Sequence, residues 1–406
     1  MTSSRSSNAS GATSRTGGND GTGAPVSGGT RRVHLAGDTA DGRPFRVVHV
    51  IPYDGIGGVE AAARSMPAGR HGLILFEKCF LVRKAAPRDL PGEHHGRRRS
   101  ENDPRAYLDA LRWVMCRRPD AVVASLWRSC AVLLLVKLLR PRVQAVTFLH
   151  LASDSHLPDR LLNLLAMRVS SAIWADSEAT LAARVPARLR GRARVISLRT
   201  ATPGQGDARP PSPSFVFWGR LHAQKRVDRA LRLFAAIRAS APGARFDIIG
   251  PDGGERPGLE AQMRDAGLEG AVRFLGPMDH EAIFAAARRH SFYLQTSDEE
   301  GLGMSVAEAM QLGLVPLVTP VGEIARYCRD GENAILVPRD EATGDGAVVE
   351  RVLAALADPA LYSRLSAAAA DTWCERPLYR DDVLAACRDL AERVARGGRG
   401  APPDLG

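Results

Sequence analysis

Residues 292–318 read FYLQTSDEEGLGMSVAEAMQLGLVPLV. Phe292–Gln295 and Val315–Val318 are short, apolar and bounded by loop residues, the pattern of strands buried on both faces. Ser305–Gln311 between them has the spacing of a helix. A strand, a Gly-rich loop, a helix and a second strand form one parallel crossover unit. The same alternation extends in both directions. Downstream lie a strand at Ala334–Val337 and helices at Gly344–Leu356, Pro359–Thr372 and Tyr379–Ala395. Upstream, strands are expected at Phe215–Trp218, Phe246–Ile249 and Val272–Leu275. Helices are expected at Val227–Ala239, Leu259–Ala266 and His280–Arg288. In the first of these, Val227, Ala230, Leu231, Phe234 and Ile237 mark one buried face.

Thr200–Pro213 interrupts the alternation with Pro203, Pro210, Pro211 and Pro213 and two glycines, and reads as a linker. Before it, strands are expected at Phe45–Ile51, Leu73–Phe76, Ala121–Ser125, Ala145–Leu149, Ala172–Ala175 and Arg194–Leu198. Trp127–Leu139 and Asp159–Val169 read as helices. The expected fold is α/β: two doubly wound, Rossmann-like domains facing a cleft, with C-terminal helices. Its divisions are a disordered tail at 1–42, a first domain at 43–200 and a linker at 201–213. A second domain covers 214–378, a last helix 379–396, and a second tail 397–406. Ligands of such sheets lie beyond the carboxyl ends of the strands, so the cleft is the expected site.

The chain has 406 residues, 45% hydrophobic and 25% charged. At about 150 residues per domain, this allows two or three domains. The composition excludes a collagen-like repeat, a wholly disordered chain and a disulfide-stapled miniprotein. The longest strongly apolar run, Ala131–Val136, is far short of the ~20 residues that span a bilayer. The six cysteines are scattered, without zinc spacing, and read as reduced thiols of a cytosolic protein. Charge is uneven. Residues 45–200 hold 26 Lys and Arg against 13 Asp and Glu, whereas residues 201–406 hold 24 against 29. A basic first half attracts nucleic acid, anionic lipid or acidic substrate.

Three loops at expected strand ends carry the chemistry. Ile51-Pro52-Tyr53-Asp54-Gly55-Ile56-Gly57-Gly58-Val59-Glu60 joins a strand to a helix, where glycines admit close backbone approach by an anion. Its spacing fits neither a dinucleotide fingerprint nor a Walker loop. Gly219-Arg220-Leu221-His222-Ala223-Gln224-Lys225-Arg226 puts Arg220 and Lys225 at the matching end of the second sheet, where the pair could neutralise a diphosphate. The bland alternative is a solvated basic loop. Glu300-Gly301-Leu302-Gly303-Met304-Ser305-Val306-Ala307-Glu308 sets two carboxylates so that they can address opposite ends of one ligand. The N–H groups of Gly303 to Ser305 can face a phosphate at the helix start. His150, ending Phe148-Leu149-His150, is expected to point into the cleft. His94 and His95, beside Arg97, Arg98 and Arg99, suggest an exposed basic loop. No Asp-x-Asp pair exists to hold a divalent metal, so no metal or other cofactor is expected.

Together these strings resemble glycosyltransferase family 4, the retaining GT-B enzymes. Gly250-Pro251-Asp252-Gly253, Phe274-Leu275-Gly276 and Asp330-Gly331-Glu332-Asn333 add to the likeness, which covers about residues 45–395 and is strongest over 214–340. The resemblance implies a nucleotide-sugar donor in the second domain and a glycan or lipid-linked acceptor in the first. Arg220 and Lys225 would hold the diphosphate, Glu308 the ribose hydroxyls, and Glu300 the donor sugar. Gly57, Gly58, Gly301, Leu302, Gly303 and Met304 would line the donor, and His150 would contact the sugar. The commonest context of such enzymes is bacterial surface polysaccharide assembly. The chain departs from the usual pattern at Val321-Gly322-Glu323, with one glycine before the glutamate, and after Gly250.

Two other readings compete. A nucleotide-sugar epimerase should show paired carboxylates and histidine for adding water, and no convincing set is present. A polyanion binder should interleave aromatics with its arginines, yet Arg97–Arg118 holds only Tyr107 and Trp113. Nucleic acid is therefore not expected as a partner. The basic first half is expected to dock on the anionic cytoplasmic face of a membrane, and residues 70–118 fall where enzymes of this kind shape acceptor and membrane contacts.

Overall fold

The computed structural model describes residues 43–55, 58–84, 90–153, 156–200, 210–341 and 344–396. Gly57, most of the expected linker (201–209) and both expected tails lie outside them. The first sheet holds β1 (Phe45–Asp54), β2 (Gly69–His71), β3 (Ile74–Arg83), β4 (Glu93–His95), β5 (Ala121–Ser125), β6 (Gln144–Leu149), β7 (Ala172–Ala175) and β8 (Ala193–Val195). Its order is β2-β3-β1-β5-β6-β7-β8, with β4 also on β3. Only β2 runs antiparallel among the described strands. The second sheet holds β9 (Ser214–Trp218), β10 (Arg245–Ile249), β11 (Val272–Gly276), β12 (Phe292–Gln295), β13 (Val315–Val318) and β14 (Ile335–Leu336). Its order is β11-β10-β9-β12-β13-β14, all parallel.

Both orders reverse direction at a central strand, between β1 and β5 and between β9 and β12. These are the switch points of doubly wound sheets, where crevices open at the carboxyl ends. Alternate residues of each strand serve opposite faces. In the first sheet Val47, Val123 and Val146 join a core continuous with the second half. Their neighbours Val48, Val122 and Ala124 face the helices Pro104–Arg117 and Leu126–Leu139.

Local chemistry sets the helix ends. The Asp103 carboxylate accepts from the Arg105 N–H at 2.9 Å, and Pro104 opens the helix Pro104–Arg117. The last helix, Tyr379–Arg396, crosses back to the first half, as expected. Arg194 donates to Asp382 at 2.8 Å, the Ser197 N–H donates to the same carboxylate at 2.8 Å, and Tyr379 stacks on Phe148.

Three expectations change. The strand expected at Leu73–Phe76 continues to Arg83, because Glu77 and Lys78 are buried within it, Lys78 being paired with Glu93 at 2.6 Å. The strand expected at Arg194–Leu198 ends at Val195, after which the chain turns to meet Asp382. His94 and His95 are not in an exposed loop. They form β4, where His94 stacks on Trp113 and His95 lies between Glu93 (3.0 Å) and Asp54 (3.2 Å).

Candidate functional site

The carboxyl ends of the two sheets meet. A Cβ on Gly58, in the helix after β1, would lie 2.7 Å from Met304 Sδ, and one on Gly301 would lie 2.5 Å from the His150 carbonyl oxygen. The segment after β12 therefore packs directly on the ends of β1 and β6. Gly303 takes a left-handed backbone (φ 74°) immediately before the helix Met304–Gln311. A side chain there would strike Ile324 and the Tyr327 hydroxyl, which donates to the Leu302 carbonyl at 2.9 Å. The turn aims the free N–H groups of the helix start into the cleft.

Glu308 and Glu300 are both buried, and each is held by donors from another element. Glu308 accepts from Trp218 Nε1 at 2.9 Å, at the end of β9, and contacts His280 Nε2 at 2.8 Å. The hydrogen bond that the Glu308 carboxylate accepts raises the pKa of His280. Glu300 accepts from Lys225 Nζ at 2.6 Å and from Gln295 Nε2 at 2.8 Å. Gln295 ends β12 and accepts in turn from the Tyr293 hydroxyl (2.6 Å) and the Ser305 hydroxyl (2.9 Å). Lys225 and Glu300 thus form one charge-neutral pair at the switch point. Arg220 is exposed and makes no ion pair among the described residues. Its charge acts across the cleft, where it partly offsets the burial that raises the pKa of Glu60.

On the facing side, His150 is buried with its Nε2 at 2.9 Å from Ser125 Oγ. His49 Nε2 approaches the same hydroxyl at 2.8 Å. Burial pushes both rings down to about 3, so both are neutral at ordinary pH. Leu126 follows Ser125 in a left-handed backbone (φ 64°), a strained join that turns β5 sharply into its helix. His150 Nδ1 is buried without a hydrogen-bond partner among the described residues. Nearby, Asp176 is pushed up to about 6 by burial, with Glu323 adding repulsion. Glu323 reaches from the second half to accept from the Ala179 N–H at 2.7 Å.

Residues 199–372 match the family model described as glycosyl transferases group 1. Residues 199–372 form a glycosyl transferases group 1 domain. The match spans the whole second sheet, and Lys225, Glu300 and Glu308 lie within it. Among curated relatives, GDP-mannose:cellobiosyl-diphosphopolyprenol alpha-mannosyltransferase of Komagataeibacter xylinus is 30% identical over 155 residues, 38% of this chain and 39% of that protein. Lipopolysaccharide core biosynthesis glycosyltransferase LpsE of Rhizobium meliloti is 29% identical over 203 residues, 50% and 54% of the two chains. The matched stretch thus spans about half or less of those relatives' lengths. The structure of Anabaena HepE in complex with UDP and glucose superposes with a TM-score of 0.65 at 15% identity, over 87% of this chain and 100% of that one. That likeness shows that the chain has the two-domain GT-B fold.

The structure brings Glu300 and Lys225 together and sets Gly58 and His150 against the segment that carries Gly301, Leu302, Gly303 and Met304. Arg220 stands apart at the cleft edge. Sequence reasoning missed Trp218, His280, Gln295, Ser125, His49 and Asp176. Gln295 left one signal, a polar residue ending an apolar strand. Trp218, His280, Ser125 and His49 act through partners at least 25 residues away, and Asp176 meets the Leu302 N–H and Glu323 of the second half besides its neighbour Ser177.

Proposed function

We propose that the protein transfers a sugar from a nucleoside diphosphate sugar to a glycan or lipid-linked acceptor, with retention at the anomeric carbon. The observation that carries this reading is the Lys225–Glu300 pair, set at the β9/β12 switch point opposite His150. Lys225, Arg220 and the start of the helix Met304–Gln311 supply positive charge for the diphosphate without a metal ion. Each Glu308 oxygen retains a lone pair for a ribose hydroxyl beside its bond to Trp218 or His280. Glu300 positions the donor sugar, while neutral His150 offers Nδ1 to a sugar hydroxyl. In the transfer, the bond from C1 to the phosphate oxygen breaks on the face where the acceptor arrives. A short-lived oxocarbenium-like ion pair forms, and the acceptor oxygen bonds to C1. The acceptor proton passes to the leaving phosphate, so no protein nucleophile is required. The HepE complex with UDP and glucose and the cellobiosyl-diphosphopolyprenol in the name of the Komagataeibacter relative support the two substrate classes.

A thermal-shift panel of UDP, GDP, ADP and their sugar conjugates, run on wild type and on Glu308→Ala, tests the reading. A ligand at about 100 times its Kd adds roughly 2.7 kcal/mol to stability. One base class should stabilise wild type and leave the variant unmoved. No stabilisation of wild type by any nucleotide would overturn the proposal.

A further inference from the structure

Ten large apolar side chains are exposed among the described residues, and seven of them stand on two helices of the first half. These helices, Leu126–Leu139 and Leu157–Val169, lie side by side and touch through Cys130 and Asn163. Leu157, Leu161, Leu165 and Val169 recur every four residues, so they form one stripe along their helix. Arg128, Ser129 and Lys137 are the only polar residues of the other helix. A helix apolar on nearly every side is ordinarily enclosed. This one leaves Leu135, Leu138 and Leu139 in solvent, Leu138 with 74% of its surface exposed.

Charge on these two helices is mainly basic, with Arg128 paired to Glu101 of a neighbouring loop at 3.5 Å. From Ala121 to Ala175 the sequence carries six Lys and Arg, and its only acids are Asp154 and Asp159. Asp159 is buried beside Arg184, at 3.7 Å. Arg142, Arg160 and Arg168 are exposed around the leucines. By contrast, the basic stretch 70–118 that invited a membrane reading has much of its charge paired internally. Lys78 is bound to Glu93, Arg117 to Glu77 and Arg99 to Asp109.

We propose that these two helices form a docking surface for an anionic phospholipid bilayer. The leucines enter the boundary between headgroups and acyl chains, and the arginines pair with lipid phosphates. Charge complementarity selects this occupant. A second copy joined by a twofold axis would bring this basic face against itself. No described helix is long and apolar enough to cross a membrane, so the contact is interfacial. The surface also reaches the cleft. Leu157, 76% exposed, begins its helix just beyond the carboxyl end of β6. Beside it the Trp127 and His156 rings lie 5.0 Å apart, with the Arg128 guanidinium 4.3 Å over Trp127. Docking by this face holds the cleft mouth at the bilayer, where a lipid-linked acceptor would be met. That use rests on the transfer reading; the docking does not.

The test is co-sedimentation of the full chain with vesicles of phosphatidylglycerol and phosphatidylcholine, and of phosphatidylcholine alone. Melting temperature and stabilisation by nucleotide are measured on the same samples. Wild type should bind the anionic vesicles and release at high salt. An arginine near such a surface is worth about fivefold in binding, so Arg160→Ala with Arg168→Ala should lose more than about tenfold. Leu157→Glu with Leu161→Glu should lose at least as much, with melting unchanged because both sites are exposed. Wild type that ignores anionic vesicles, or variants that bind as wild type does, would overturn the proposal. So would a lipid-free dimer that Leu161→Glu dissolves. Wild type that ignores anionic vesicles yet is stabilised by nucleotide rejects the docking alone, and wild type that binds vesicles yet is stabilised by no nucleotide rejects the transfer reading alone.

Discussion

Ser125 holds His150 through a 2.9 Å contact between its hydroxyl and the imidazole Nε2, and the same hydroxyl lies 2.8 Å from His49. A hydroxyl has one proton to donate, so one ring accepts from it and the other donates to it. The two tautomers are thereby linked, and the state of His49 decides whether His150 Nδ1 presents a proton or a lone pair to the cleft. Ser125→Ala leaves two buried ring nitrogens without this partner. It should cost about 1–3 kcal/mol in urea unfolding. A variant as stable as wild type would show that the bridge is not formed.

The same two rings make the fold sensitive to acid. In the folded chain each titrates at about 3 because burial penalises the charged form; in the unfolded chain each titrates near 6.5. Between these values the unfolded state binds more protons, so stability is full above about pH 6.5 and falls as pH drops toward 3. Asp176 acts oppositely: held up at about 6, it destabilises the fold as pH rises from about 3.9 through 6. Denaturant unfolding between pH 4 and 7 should therefore show a shallower acid dependence in His150→Asn than in wild type. Equal slopes would mean that the ring titrates in the folded chain as it does in the unfolded one.

Glu308 and His280 supply a local readout of the second-half site. The carboxylate holds the His280 pKa above its ordinary value, chiefly through the 2.8 Å hydrogen bond. In Glu308→Gln the charge goes and the ring should titrate at lower pH, as followed by the His280 ring-proton NMR shift. The stabilisation that this contact gives is present below about pH 6.5 and disappears as pH rises through the folded pKa. The variant should therefore lose stability at pH 6 and little at pH 9. An unmoved His280 titration would show that the pair is absent in solution.

The second sheet was readable because strands covered on both faces are continuous apolar runs. Phe292–Gln295 and Val315–Val318 have the bounds expected of them. Where burial is achieved by ion pairing instead, the reading failed. Glu77 and Lys78 concealed most of β3, and His94 and His95 resembled a surface loop. Helix Pro104–Arg117 announced itself through Asp103 and Pro104, yet its mixed polar sequence obscured it. At the site, residues inside a local motif were legible: Lys225, Glu300 and Glu308 follow strand ends in fixed order. Trp218, His280 and Ser125 were not, since each acquires its partner only when the sheets assemble.

Gly301 is the point at which the two halves are closest to a steric limit. A Cβ there would lie 2.5 Å from the His150 carbonyl oxygen and 2.6 Å from Asp176 Oδ2, both on the first half. The adjacent Leu302 N–H bonds to Asp176, so the segment cannot retreat without losing that partner. Gly301→Ala must push β6 and β7 away from the Glu300 loop, at a cost of about 1–3 kcal/mol. Glu308, Trp218 and His280 lie within the second half and should keep their geometry, so nucleotide affinity should change by less than about twofold. On the proposed reading, in which His150 and Glu300 face one sugar, turnover should fall by about 100-fold because their separation changes. Gly258→Ala, where nothing lies within 4 Å, is the matched control and should leave both unchanged. Equal losses of nucleotide affinity and turnover in Gly301→Ala would mean that the substitution unfolds the second half, and that the contact with His150 does not set the distance across the cleft.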